Sequence, residues 1–549
     1  MTQKETEKII DELLKDRGIT DENRERFLDP SYEEHLHDPF LMKDMEKAVR
    51  RILDAVQNNQ RIVIYADYDA DGVPGAVLFH DFFDLINYSN FEIFIPHRHL
   101  EGFGLKTEKM KEFSELDTNL IVTVDCGVTD TEPIKLAQDL GIDVIVTDHH
   151  EQPTVLPPAY AVVNPKREDC DYPYPFLCGA AVAYKVIQGL IELGSFDLKP
   201  GVEKWMLDMV GIATLSDMVP LQDENRVLAH YGLKVLRKSR RPGLRQLCYR
   251  LGLNQGMLSE DDIGFMISPR INAASRMGHS MDAFHLLVEK NQGRVEDLVK
   301  ELERINRQRK GVVASIVKEV KHKLESREIG PVIVTGSPDW RPSLLGLAAN
   351  SIAEEFSRPV FLWGRDGGDL LKGSCRSSGG INLIGLMDQA EGAFLEYGGH
   401  AYAGGFSVSY EGIHQLEEKL TKSYNDSKNI LVEEVKHSGH LISISSVSQD
   451  LFHALQKIGP FGIANPKPIF RFEDVLVKNI RSFGKQGEHL EVTLENQGGG
   501  SVKAISFFNS VENLSAEPLV NQKINLLASL EKSYFRGQAE LRLRLIDVF

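Results

Sequence analysis

Between Ile62 and Phe83 the sequence reads IVIYADYDADGVPGAVLFHDFF: an apolar run, then Asp67, Asp69 and Asp71 at alternate positions, then Gly72, Pro74 and Gly75, then a second apolar segment. In an extended segment, residues two apart face the same side. The spacing therefore predicts three carboxylates converging at a strand end, beside the free N–H groups of a helix. Gathering that much like charge costs folding energy unless cations are bound, and hard divalent ions take oxygen ligands. The alternative is a calcium loop, since DxDxDG also opens an EF-hand. Such a loop follows a helix and ends in a bidentate Glu at its twelfth position. Here a strand precedes it, and the twelfth position from Asp67 is Leu78.

Similar junctions recur downstream. From Arg51 the apolar segments RIVIYA, FEIFIP, NLIVTV, IDVIVT and AYAVVN alternate with helical stretches, which predicts a parallel sheet flanked by helices. Ligands of such sheets sit at the carboxyl ends of the strands. There NLIVTV runs into Asp125, Cys126 and Gly127, and IDVIVT into Asp148, His149 and His150. The helical run WMLDMVGIATL stops at Ser216, Asp217, Met218, Val219 and Pro220. A single Asp after a strand is ordinarily a cap or turn former. Four such sites on one sheet edge, with a double histidine, point instead to a two-metal centre.

Composition matters at four points. With 549 residues the chain has room for about three domains. Its net charge of -17 weighs only slightly against nucleic-acid binding, because a local basic groove suffices and bound cations reverse the sign of an acidic site. No apolar run reaches about 18 residues, and the N-terminus MTQKETEKIIDELLKDRG is charged and amphipathic rather than a signal sequence, so a cytoplasmic protein without membrane contact is expected. Five scattered cysteines without a CxxC pair indicate neither a disulfide framework nor a zinc knuckle.

Residues 1–50 read as an N-terminal helical segment, with Thr20 and Asp21 opening a charged helix that Pro30 ends. The parallel-sheet domain occupies 51–281. Near its end, GFMISPRINAASRMG sets Arg270, Asn272 and Arg276 among small residues, where guanidinium forks suit phosphate; a solvated loop with capping arginines is the alternative. Residues 282–329 form a solvated connecting helix with i,i+4 pairs such as Glu296 and Lys300, spacing two domains across a groove. A smaller α/β domain at 330–428 carries GSCRSSGGINL and EYGGHAYAGGFSV, whose glycine-rich loops, with Ser374, Arg376 and His400, offer donors to an anion. After a charged linker near 425–437, residues 429–549 alternate apolar and polar positions as a small antiparallel barrel of OB type does. Phe483, Phe507, Phe508, Tyr534, Arg481, Lys485 and Arg536 are available there to stack bases and follow phosphates, some of the aromatics being core.

DYDADG, VDCG, TDHH and SDMVP, in that order, resemble the four motifs of the DHH phosphoesterases. The stretch DRGITDENRERFLDPSYEEHLHDPFLMKDMEKAVRRI, with IPHRHLEGFGL, SPRINAASRMG and GGHAYAGGF, is similar to the RecJ branch of single-strand-specific 5' exonucleases. The resemblance implies metal ligands at Asp69, Asp71, Asp125, His149 and Asp217, with Asp67 a further candidate and Asp125 bridging two Mn2+ or Mg2+ ions. It also implies that His150 faces the scissile phosphate and that Asp148 orients the histidines. DNA phosphates would fall to Arg98, Arg270, Asn272, Arg276, Ser374, Arg376 and His400, the last three in a DHHA1 domain. The implied activity is 5'-to-3' hydrolysis of single-stranded DNA to mononucleotides in repair and recombination. A single-stranded-DNA-binding protein and a RecQ-type helicase are the implied partners of a monomer. Tyr65 stands where small-substrate relatives carry histidine, and Pro74 with Gly75 where many members have Ser or Thr. A small-substrate phosphodiesterase has no use for the barrel and long helix, and a binding protein with a decayed site would not retain every ligand position.

Overall fold

The structure, a computed structural model, describes residues 2–365, 367–368, 370–378, 380–390, 392–426, 439–484, 489–495, 500–507, 514–533 and 540–549. The five apolar segments form one parallel sheet in the order β2-β1-β3-β4-β5, from β1 (Arg61–Ala66), β2 (Phe91–Phe94), β3 (Thr118–Val124), β4 (Asp143–Thr147) and β5 (Ala161–Val163). The strands are apolar throughout because both faces are covered. Ile62, Ile64 and Ala66 enter a core with the helices Met45–Gln57, Gly72–Leu85 and Gly179–Leu193. Val63 and Tyr65 point the other way, toward Met110, Phe113, Ile134 and Ala137. In this order β2 and β3 lie on opposite sides of β1, and ligands bind at such a switch point, between β1 and β3.

The helix Leu207–Ser216 crosses Asp223–Leu236 at two glycines: a Cβ on Gly211 would stand 2.7 Å from Cα of Gly232. SPRINAASRM is the helix Ser268–Met277, entered through a π-helical turn at Asp262–Ile267, and not a loop. The connecting helix runs from Gln292 to Glu325 and is not simply solvated. Val295, Val299 and Leu302 pack into the first domain's core, while Ile316, Val320 and Leu324 pack beside Trp340, Leu344 and Leu345 of the next domain. Lys300 pairs with Asp297 at 3.2 Å rather than with the expected Glu296. Helical register thus gives the element a buried stripe that charge pairs alone do not reveal.

The second domain is a mixed sheet, β6-β7-β8-β10-β9, from β6 (Ile333–Gly336), β7 (Val360–Arg365), β8 (Leu371–Arg376), β9 (Glu396–His400) and β10 (Ala403–Val408). Beyond residues 427–438, which lie outside the described residues together with most of the expected linker, β11 (His440–Leu441) leads to a closed five-stranded barrel. Its strands are β12 (Phe470–Phe483), β13 (His489–Glu495), β14 (Ser501–Phe507), β15 (Lys523–Ser533) and β16 (Glu540–Val548). The long β12 closes it, pairing with β15 through its first half and β13 through its second, with a register shift within each pairing. Ile10, Leu13 and Leu14 of the first helix, Gln3–Asp16, are buried in the barrel's core, so the N-terminal segment is divided between two bodies. Among the described residues no helix is long and apolar enough to cross a membrane.

The contact between Gly211 and Gly232 predicts that Gly211→Val costs about 1–3 kcal/mol through overpacking. A urea-unfolding midpoint unchanged from the wild type would refute that contact.

Candidate metal centre

The backbone of β1 runs one residue past the strand, with Asp67 N–H donating to the Val124 carbonyl at 3.0 Å. The chain then turns, and the helix Gly72–Leu85 begins with Asp71 as its cap. Asp69 Oδ1 accepts from the N–H groups of Asp71 (2.8 Å) and Gly72 (3.2 Å). The Asp71 carboxylate reaches away, to the first N–H groups of a second helix, Gly179 at 2.6 Å and Ala180 at 2.7 Å. Alternation along a strand therefore does not orient Asp69 and Asp71; two helix N-termini do. Glycine is required for this approach, because a Cβ on Gly72 would lie 2.4 Å from the Asp67 carbonyl oxygen, and one on Gly179 would lie 2.5 Å from Cβ of Asp125.

Asp125 follows β3 with φ of 62°, a left-handed conformation uncommon outside glycine, while its N–H donates to the Thr147 carbonyl. Nε2 of the buried His149 stands 3.1 Å from Asp125 Oδ1 and 3.7 Å from both Asp71 Oδ2 and Asp217 Oδ2. Asp217 caps the C-terminal end of Leu207–Ser216. Three groups of ligand atoms result, each within 4.8 Å: Asp67, Asp69 and Asp125; Asp71, His149 and Asp217; Asp125, His149 and His150. Asp148 Oδ1 accepts from the N–H groups of His149 and His150 and lies 2.7 Å from Nδ1 of His150, while Oδ2 accepts from Val128. With Nδ1 engaged, Nε2 of His150 is the nitrogen left for a substrate.

The electrostatics describe a site short of positive charge. Burial, then neighbouring carboxylates, raises the pKa values of Asp67 and Asp125 well above the aspartate range; the same causes carry Asp71 to about 7 and Asp217 to about 9. Burial with the adjacent His150 lowers His149 to about 4. For His150 burial acts downward, but Asp148, then Asp217 and Asp71, prevail and lift it to about 9. Oδ1 of Asp67 and Oδ1 of Asp125 are buried and accept no hydrogen bond. Hard oxygen donors joined by one neutral imidazole fit two divalent ions of the Mn2+ or Mg2+ kind, and the two orphaned oxygens are where cations would be accepted.

Arginines gather beside this cluster. Arg98 stacks over Tyr68 at 4.7 Å. Arg276 donates from Nη1 to the Ser343 carbonyl of the second domain at 2.5 Å. Burial, with the like charge of Arg98, Arg309 and Arg376, lowers Arg276 to about 10, while Asp69 acts in the opposite direction. Arg309 belongs to this group although no motif marks it; Nε of Arg309 is buried without a partner. The register Arg376–Ala403–His400 runs straight across β8, β10 and β9, and Ser374 pairs with Gly405 one row away. Paired residues and those two apart share a face, so Ser374, Arg376 and His400 stand together over small residues.

Two expected phosphate ligands also make contacts within the protein. Arg270 is buried, ion-paired to Glu303 at 2.7 Å and donating to the Met266 carbonyl, as a buried guanidinium requires. Asn272 Oδ1 accepts from Ala70 N–H at 2.9 Å and holds the aspartate turn. Tyr65 donates to the Gly104 carbonyl on the opposite face of the sheet. In the barrel, Phe483, His489 and Phe507 pack together, with Arg544 over Phe507 at 4.3 Å and Arg481 over Phe483 at 5.8 Å. Phe508, Tyr534, Lys485 and Arg536 lie outside the described residues.

Carboxylates and histidines at the switch point of a parallel sheet, followed by a glycine-rich second domain, define a phosphoesterase of the DHH class. The DHH family N-terminal domain matches residues 61–214, the DHHA1 domain 329–426 and the RecJ OB domain 440–547. The chain is 30% identical to the single-stranded-DNA-specific exonuclease RecJ of Escherichia coli over 92% of its own length and 90% of that protein's. It is 32% identical to the Bacillus subtilis protein of the same name over 89% of its length, but spans only 62% of that relative. The crystal structure of Thermus thermophilus RecJ with Mn2+ superposes with a TM-score of 0.79 at 27% identity, covering 98% of this chain and 75% of that one. The chain belongs to the RecJ family.

Raised pKa values make stability depend on pH and metal together. Ionising Asp71 and Asp217 opposes folding from their unfolded value of 3.8 up to about 7 and about 9, so the metal-free protein should lose stability as pH rises through this window. Mn2+ takes the place of those protons. The rise in Tm on adding Mn2+ should therefore be larger at pH 8.5 than at pH 6, and a pH-independent rise would contradict this electrostatic account.

Proposed function

We propose that the chain is a metal-dependent exonuclease that degrades single-stranded DNA from its 5' end and releases 5'-mononucleotides, with Mn2+ or Mg2+ as the ion pair. The observation that carries this reading is the arginine group Arg98, Arg276, Arg309 and Arg376, which joins the second domain to the edge of the carboxylate cluster. The similarity to single-stranded-DNA-specific exonucleases points the same way.

Asp67, Asp69 and Asp125 would hold one ion, and Asp71, His149 and Asp217 the other. The chemistry a bound pair supplies is charge neutralisation at the phosphoryl oxygens and an acidified water. His150, fixed by Asp148, presents Nε2 to the scissile phosphate, where an imidazolium stabilises developing negative charge. Arg98 and Arg276 hold the neighbouring phosphates in line. Ser374, Arg376 and His400 receive the terminal 5'-phosphate, which fixes polarity by bringing the first phosphodiester to the carboxylates. Phe483 and Phe507, flanked by Arg481 and Arg544, give the barrel a stacking surface for bases further along the strand. Selectivity for single strands follows from a groove between the two α/β domains too narrow for a duplex. In the cell this enzyme works in the cytoplasm, in DNA repair and recombination, as a monomer alongside a single-stranded-DNA-binding protein and a RecQ-type helicase.

End-labelled single-stranded, duplex and dinucleotide substrates incubated with Mn2+ test this. Single strands should be trimmed progressively from the 5' end; equal cleavage of duplex would remove the groove argument, and no cleavage at all would favour a binding protein. Asp125→Ala should lower turnover by about three orders of magnitude or more, and retained activity would refute its place between the two ligand groups.

A further inference from the structure

Away from the carboxylate cluster, a cavity of about 310 Å3 opens where three distant parts of the chain meet. Arg17, Asn23 and Arg26 come from the N-terminal helices, Asp223 and Arg226 from the start of Asp223–Leu236, and Ala464 from the loop entering the barrel. Three guanidiniums thus face one carboxylate. That carboxylate is already shared, Asp223 Oδ1 lying 3.1 Å from Arg26 Nη2 and 2.7 Å from Nε2 of His37.

Arg17 and Arg226 donate only to neutral oxygens. Arg17 reaches Asn465 Oδ1 (2.8 Å) and the carbonyls of Leu13 (2.9 Å) and Pro466 (2.6 Å). Asp16, its neighbour in sequence, is taken by His440 at 2.9 Å. Arg226 is only 3% exposed. It donates to the carbonyls of Phe27 (2.8 Å), Gly459 (2.9 Å) and Lys457 (3.3 Å), with Phe27's ring 3.7 Å from its guanidinium carbon, and its Nη1 is buried without an acceptor. Among the described residues neither guanidinium forms an ion pair. Burial, then the like charge of Arg17, lowers Arg226 to about 9. A buried cation without a counter-ion is costly, and an anion in the cavity would remove that cost.

We propose that this junction binds a phosphate dianion, free or carried by a small phosphomonoester. Guanidinium forks match phosphate geometry, and the volume lies at the lower end of the range for small-molecule pockets. Phe27 supplies an apolar wall for an attached organic group. An anion held there fastens the N-terminal helices and the barrel's entry loop to the segment that carries Asp217, for Leu221 N–H donates to the Ile463 carbonyl at 2.8 Å.

Calorimetric titration of the whole 549-residue chain, free of metal, with inorganic phosphate and with deoxyadenosine 5'-monophosphate tests the proposal. The arginines at the carboxylate cluster are a second place for phosphate, so Arg98→Gln is included to weaken that one. Asn23→Trp should fill the junction cavity without removing a charge, and Arg17→Gln should remove a donor. The expected result is a binding event that survives Arg98→Gln and weakens at least tenfold in both Asn23→Trp and Arg17→Gln, with a Tm rise of about 2 °C near saturation lost in parallel. Should Arg17→Gln fail to fold, Asn23→Trp alone decides. Equal affinity for the two ligands supports recognition of the phosphate alone, and tighter binding of the nucleotide supports a phosphomonoester. Phosphate binding unchanged by Asn23→Trp, or absent from the Arg98→Gln protein, would overturn it.

Discussion

Mutual repulsion among Asp67, Asp69, Asp71, Asp125 and Asp217 is the constraint on which the rest of the first domain depends. Three of the five are buried, and burial of carboxylates in register is tolerated only where donors or cations meet them. The fold answers with two helix N-termini aimed at one point, one donating to Asp69 and the other to Asp71. Close approach of those helices to the ends of β1 and β3 demands glycine at positions 72 and 179, and a Cβ on Gly75 would stand 2.4 Å from Val124 Cγ1. Helix dipoles satisfy part of the negative charge. The orphaned oxygens of Asp67 and Asp125 mark the part they leave.

Local positive charge in a chain of net charge -17 arises from position rather than total. Arg276 sits on a helix of the first domain yet donates into the second, and Arg309 on the long helix and Arg376 on β8 approach it. The long helix makes this possible by contributing to both cores, so the arginines meet across a fixed separation. Arg270 lies six residues before Arg276 in the same helix, where its register turns it to Glu303 instead.

Local signals carried much of this into the sequence. Five apolar strands, the acidic junctions after three of them and the alternating barrel segments depend on neighbouring residues alone, and the structure has each of them. Side-chain direction was less legible. Alternation along a strand does not describe Asp71, because the chain turns after Asp67 and the partner N–H groups lie more than a hundred positions away. The same distance problem hides the barrel's claim on Ile10, Leu13 and Leu14. An arginine among small residues looks alike whether it awaits a phosphate or already holds a glutamate, which is why Arg270 and Arg276 could not be told apart. Arg309, in a run of charges on an amphipathic helix, gives no local signal at all.

Asp217 differs from the other ligand candidates because no strand positions it. Its helix is held in place by the Gly211–Gly232 crossing, and the segment beyond it pairs with the barrel's entry loop through Leu221 and Ile463. A Cβ on Gly462 would press within 2.8 Å of Leu221, so this contact too is close. The group formed with Asp71 and His149 therefore needs an element whose placement is shared with the C-terminal part of the chain, whereas Asp67, Asp69 and Asp125 belong wholly to the sheet edge. One half of the centre is set by strand order, and the other by how the domains are joined. A change at the junction can thus reach the second half while leaving the first intact.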